Sequence, residues 1–82
     1  MAEYSSPFVA GPGGVMTDDV GVITGELELR TVLNDGVVQA LVRYEGADEW
    51  YGLTGGVCAL VDPGDHEAVH SLLLAVLNRP EG

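Results

Sequence analysis

The stretch of this chain with the most chemistry in it is His66-Glu67-Ala68-Val69-His70. Two histidines four positions apart share one face of a helix, so their imidazoles can bind one zinc or other divalent ion while the glutamate activates a bound water. His66 and His70 are therefore the candidate metal ligands, and Glu67 would be the general base. A second reading is structural. Glu67 is an acid in a first helical turn, where the helix dipole favours it, His66 is a solvated surface residue, and His70 edges a buried stripe with Leu73 and Leu77. The other candidates carry less. Cys58 lies in an apolar run with no base or cation beside it and reads as buried filler. Ser5, Ser6 and Ser71 stand in no nucleophile elbow. Gly11-Pro12-Gly13-Gly14 lacks the Lys and Ser/Thr that would close a phosphate loop.

In these five residues the chain resembles the zincin metallopeptidases, which implies ligand roles for His66 and His70 and a base role for Glu67. The resemblance ends there. Leu73 and Val76 stand where one zincin branch places a glycine and a third histidine, and the one acid that follows, Glu81, lies beyond Pro80. The expectation is a protein that is not an enzyme, with no catalytic residue and no cofactor, and with metal binding at the histidine pair as an alternative.

The elements that would position these residues follow from hydrophobic period. Residues 26–33 and 37–45 alternate with period two around Asn34-Asp35-Gly36, which specifies a hairpin. With Asp35-Gly36 as a two-residue turn, Leu33 faces Val38, Thr31 faces Ala40, Leu29 faces Val42 and Leu27 faces Tyr44 on one side of the sheet. On the other side Val32 faces Gln39, Arg30 faces Leu41 and Glu28 faces Arg43. A three-residue turn would set Leu27 against Arg43, so pattern and turn chemistry agree. A second hairpin at residues 46–49, with Gly46 opposite Glu49, brings Tyr51 to Tyr44 and Leu53 to Val42. Gly55-Gly56 then either turns the chain into a further strand or forms a bulge in a continuing one. Asp62-Pro63-Gly64 stops the strand, Asp65 is a candidate N-cap, and Val69, Leu72, Leu73, Val76 and Leu77 recur at helical spacing from His66 to Asn78. Arg79 would suit the helix C-terminus and Pro80 ends it. Pro7, Pro12 and the glycines among residues 1–17 read as a flexible N-terminal arm, leaving residues 18–82 as a single domain. The expected fold class is α+β: an antiparallel meander of three to four strands followed by one C-terminal amphipathic helix packed on one sheet face.

Composition bounds the function. The chain has 82 residues with 13 Asp and Glu against 3 Arg, a formal net charge of -10. At that length one domain folds, burying only about 62% of its unfolded surface, and such a domain usually needs a staple or a partner. A single cysteine excludes an intrachain disulfide and a thiolate zinc cluster. Strong acidity repels phosphate backbones and anionic lipid, which argues against direct nucleic-acid and membrane partners. The first seven residues lack the basic start and apolar run of a secretion signal, so the expected location is cytoplasmic. Absence of Lys beside abundant Ala, Val and Gly points to a high-GC bacterium. One helix covers one sheet face, while Val32, Leu41, Arg43 and Trp50 fall on the other, a candidate interface. The expected function is a small acidic protein–protein interaction or regulatory module, self-associating as a homodimer or docking on another protein. The alternatives are a metal-binding protein using His66 and His70, and an acidic mimic of nucleic acid.

Overall fold

The computed structural model describes residues 1–80, in the order β1 (Ala2–Thr17), β2 (Gly21–Asn34), β3 (Val37–Tyr44), β4 (Tyr51–Ala59), a 3-10 turn (Pro63–Asp65) and α1 (His66–Leu77). The four strands form one antiparallel meander, so the α+β expectation holds. The β2–β3 hairpin has the expected register from Leu27↔Tyr44 to Asn34↔Val37. Its turn needs left-handed backbone at both central positions, and Asp35 (φ 53°) and Gly36 (φ 75°) supply it. Glu28 and Arg43 meet across the strands at 2.7 Å.

The fourth strand is the N-terminal one. Residues 1–17 are not an arm: β1 pairs with β2 from Ala2↔Leu33 to Thr17↔Gly21. Proline and glycine hid it for two reasons. Val9 N–H points away from β2, donating to Asn78 Oδ1 at 3.0 Å, so Pro7, two residues earlier, lacks a donor only on the outer edge and costs no ladder bond. Between Ala10↔Gly25 and Val15↔Ile23, β1 carries three more residues than β2. This bulge moves the buried positions from even (Phe8, Ala10) to odd (Val15, Thr17), so no single alternation runs through the strand.

The second hairpin is offset from its expected register. Val42 faces Tyr51 and Leu41 faces Gly52, a slip of two residues. A slip of two keeps every side chain on its face, and Tyr51 and Leu53 still pack on the core. Beyond Gly52, β4 continues through a bulge at Gly55 (φ 76°) to Val57↔Gln39 and Ala59↔Val37. The meander curls until its outer strands touch at one pair, Thr17↔Leu53, with Asp18 N–H donating to Gly52 O at 2.9 Å. Inside lie Phe8, Ile23, Leu27, Leu29, Ala40 and Val42.

The helix closes the open end of this curl against β1 and β2. Its N-terminus differs from expectation: Asp65 makes no capping bond, and Asp62 caps the 3-10 turn through Gly64 N–H at 2.8 Å. At its C-terminus, Asn78 and Arg79 bind both backbone groups of Val9. His66 and His70 are buried and Leu73, Leu74 and Leu77 half-buried, whereas Leu72 and Val76, which recur at the same helical spacing in the sequence, are 69% and 55% exposed.

Gly14 is the tightest point of the β1 bulge. It has φ 65°, and a Cβ there would lie 2.5 Å from Val22 Cγ1 and 2.6 Å from Ile23 O. Gly14→Ala should lower the unfolding free energy in urea by about 2 kcal/mol or more, through left-handed strain plus the clash. Gly13→Ala, with nothing within 4 Å of the added carbon, should stay within about 0.5 kcal/mol.

Candidate functional site

Helical spacing and sheet register bring the two histidines to one hydroxyl. Thr31 is fully buried in the apolar row of β2, and its Oγ1 lies 2.9 Å from His66 Nε2 and 2.7 Å from His70 Nδ1. On its far side His70 Nε2 is 2.9 Å from Ser6 Oγ of β1. The Tyr4 ring covers both imidazoles, with centroids 4.7 Å from His66 and 5.6 Å from His70. His66 is therefore not a solvated surface residue, and His70 is not at the edge of the helix packing. Both are pins between α1, β1 and β2.

The hydrogens in this cluster are interdependent. A hydroxyl has one proton to give, so one imidazole nitrogen accepts from Thr31 and the other donates to it. His66 Nδ1 is buried with no hydrogen-bond partner among the described residues. With both rings neutral, Thr31 can donate to His70 Nδ1 and accept from His66 Nε2–H, leaving an unprotonated nitrogen at the orphan position. Charging His70 makes its Nδ1 a donor and turns the Thr31 proton toward His66. His66 must then carry its own proton on the unpartnered Nδ1, a buried donor without an acceptor. Burial, then the neighbouring His66, hold the His70 pKa below the usual 6.5.

The geometry bears on two chemistries. Ser6, His70 and Thr31 form a hydroxyl–imidazole–hydroxyl chain of the kind that activates a nucleophile. Ser6, Thr31 and Tyr4 did not stand out as site residues in sequence; the available signal was a hydroxyl at Thr31 in an otherwise apolar row. Neither the groove described below nor the smaller cavity beside Gly11, Gly13 and Gly14 is lined by these groups, so neither offers a substrate a seat against Ser6. For a metal, the converging nitrogens of His66 and His70 are the available donors, and they are occupied with Thr31. No group of three or more His, Cys, Asp or Glu among the described residues is arranged to hold an ion. Glu67 is exposed while both histidines are buried.

The four residues expected at an interface lie on the opposite sheet face, each half-buried. The guanidinium carbons of Arg30 and Arg43 sit 4.4 and 4.6 Å from the Trp50 ring centroid. Arg43 also binds Glu28 and donates to Ala47 O at 2.9 Å, tying down the loop that carries Trp50. Val32 and Leu41 thus share a face with a cation–π cluster made by the chain itself.

The larger apolar opening is elsewhere. Because the histidines pin α1 over β1 and β2, a groove of about 330 Å³ runs between the helix and β4. Val69, Leu72, Leu73 and Val76 form one wall, Gly55 to Cys58 the other, and Val38 and Ala40 the floor. Cys58 is exposed here instead of buried. Comparison with protein-family models, curated proteins and solved structures gives no match. The functional reading therefore rests on this geometry.

Thr31→Val should cost about 2–3 kcal/mol in urea unfolding, since it strands two buried imidazole nitrogens, whereas Thr31→Ser, which keeps the hydroxyl, should cost about 1 kcal/mol. Because the unfolded chain binds a proton at His70 more readily than the folded one, stability rises with pH wherever the two differ. Unfolding free energy should be level above pH 7 and fall as pH drops below about 6.5, with the His70 ring titrating below that value by NMR. A His70 midpoint above 6.5 would contradict the burial argument.

Proposed function

We propose that this chain is a small acidic, non-enzymatic protein–protein interaction module that associates with itself through the α1–β4 groove. One observation carries the reading: Leu72, Val76 and Val57 are 69%, 55% and 62% exposed, and they rim a groove with no charged residue among the described residues that line it. On a chain of net charge -10, an uncharged apolar surface of that kind favours contact with protein over contact with water. The face carrying Trp50, Leu41, Val32 and Arg43 is the weaker candidate, since Trp50 already lies against two guanidiniums of its own chain.

The size of the domain supports the same reading. Its surface is 4865 Å², close to the roughly 4,700 Å² expected for its mass, so the fold has not escaped the small-core limit. Metal binding at His66 and His70 is supported only by the pair itself. Acidic mimicry is supported only by net charge. No helix among the described residues is long and apolar enough to cross a membrane.

Sedimentation velocity from 5 to 100 μM should show reversible dimerisation that tightens as salt rises, because salt screens two copies of charge -10 and leaves apolar contact intact. Leu72→Glu should weaken the dimer at least tenfold. A monodisperse monomer at 100 μM at every salt concentration would overturn the reading.

A further inference from the structure

The edge of β4 that borders the groove has no protein partner among the described residues, and its hydrogen-bond pattern can be read. Leu60, just after β4, donates its N–H to O of Gly36, just before β3, at 2.8 Å, continuing the β3–β4 ladder by one pair. Backbone direction alternates along a strand, so in the register Val37↔Ala59, Val38↔Cys58, Gln39↔Val57, Cys58 shares the direction of Leu60 and bonds toward β3. Val57 and Ala59 turn their N–H and C=O outward. Both residues are exposed, as is Cys58 between them. From Gly55 to Val61 this segment has no charge and no proline. The usual protections of an exposed edge are therefore missing apart from the Gly55 bulge.

Resting on the self-association reading, we propose that a second copy of this chain occupies this edge, its β4 pairing antiparallel with β4 about a twofold axis at Cys58. Three observations favour a second copy over a basic partner. The segment is uncharged, so self-pairing sets no like charges opposite each other, whereas attraction of a basic partner would call for acids, and the described residues of the lining include none. Only one self-pairing register uses both outward residues of both copies: Val57 opposite Ala59 of the second copy, and the converse. It makes four main-chain hydrogen bonds. Registers centred on Val57 or Ala59 draw instead on the bulge or on Val61, which lies outside β4. Finally, a standard interface takes about 800 Å² per partner, roughly a sixth of this chain's surface, and the β4 edge with the exposed Leu72 and Val76 beside it supplies an apolar centre for one.

In this register the two Cys58 residues stand directly opposite as a non-hydrogen-bonded pair, with Cα atoms about 4.5 Å apart and within disulfide reach. Two Val57 or two Ala59 positions are diagonal instead, at about 7–8 Å. The 82-residue chain, at a concentration where sedimentation finds the dimer, should cross-link through Cys58 under mild diamide oxidation in more than half of the molecules. Cys58→Ser combined with Val57→Cys or with Ala59→Cys should cross-link at least fivefold less. In the dimer the Val57 and Ala59 amides should exchange at least tenfold more slowly than in Leu72→Glu. A dimer whose Cys58 does not cross-link, or whose two amides exchange as in Leu72→Glu, overturns this pairing and leaves self-association standing. A monomer overturns both.

Discussion

The architecture turns on one buried hydroxyl. Thr31 Oγ1 stands between His66 and His70 and fixes where the helix meets the sheet. A helix held only by leucines could slide or roll at small cost, because hydrophobic contact has no direction. Two imidazoles on one hydroxyl, with Ser6 behind one of them, permit little movement, because each displacement would leave a polar atom buried without a partner. The other end of the helix is held by Asn78 and Arg79 on the backbone of Val9. Both attachments lie on the β1–β2 side. The helix is thereby drawn off β4, and the groove is the space this leaves.

The same constraint explains the helix's two apolar faces. Leu73, Leu74 and Leu77 lie on the histidine side and pack on the core. Leu72, Val76 and Val69 lie roughly 100° round the helix, facing the groove. A stripe that reads as one wide buried face is divided between core and surface. The sheet is divided in a similar way. Its concave face is filled by Phe8, Leu27, Leu29 and Val42, and its convex face carries Trp50 across two arginines. Two of the three arginines are spent on that cluster and its carboxylate partners, so the acidity of the surface is scarcely relieved. A groove without charge and a strand edge without a partner, among the described residues, are what give the interaction reading its support on such a surface.

Legibility of the site was uneven. The pairing of His66 with His70 was visible in their spacing, and Thr31 was visible as a hydroxyl in the apolar row of a hairpin whose register was readable. That the three meet was not visible, because nothing local in residues 26–34 states which helix face will cover them. Ser6 and Tyr4 were out of reach for a further reason: the strand that holds them is interrupted by proline and by a glycine bulge that reverses its alternation.

The sequence by itself determined the local elements: a two-residue Asp-Gly turn, the register of the hairpin around it, the helix from His66, and a fold class with one helix after an antiparallel meander. These depend on period and on backbone chemistry within a few residues. Only the tertiary structure decided that residues 2–17 are a strand, that β4 slips two residues and bulges at Gly55, that the histidines are buried, and that Leu72, Val76 and Cys58 are not. Those outcomes depend on contacts between residues as far apart as Ser6 and His70. A one-dimensional pattern does not specify which of two apolar surfaces is covered when a single short helix is available to cover them.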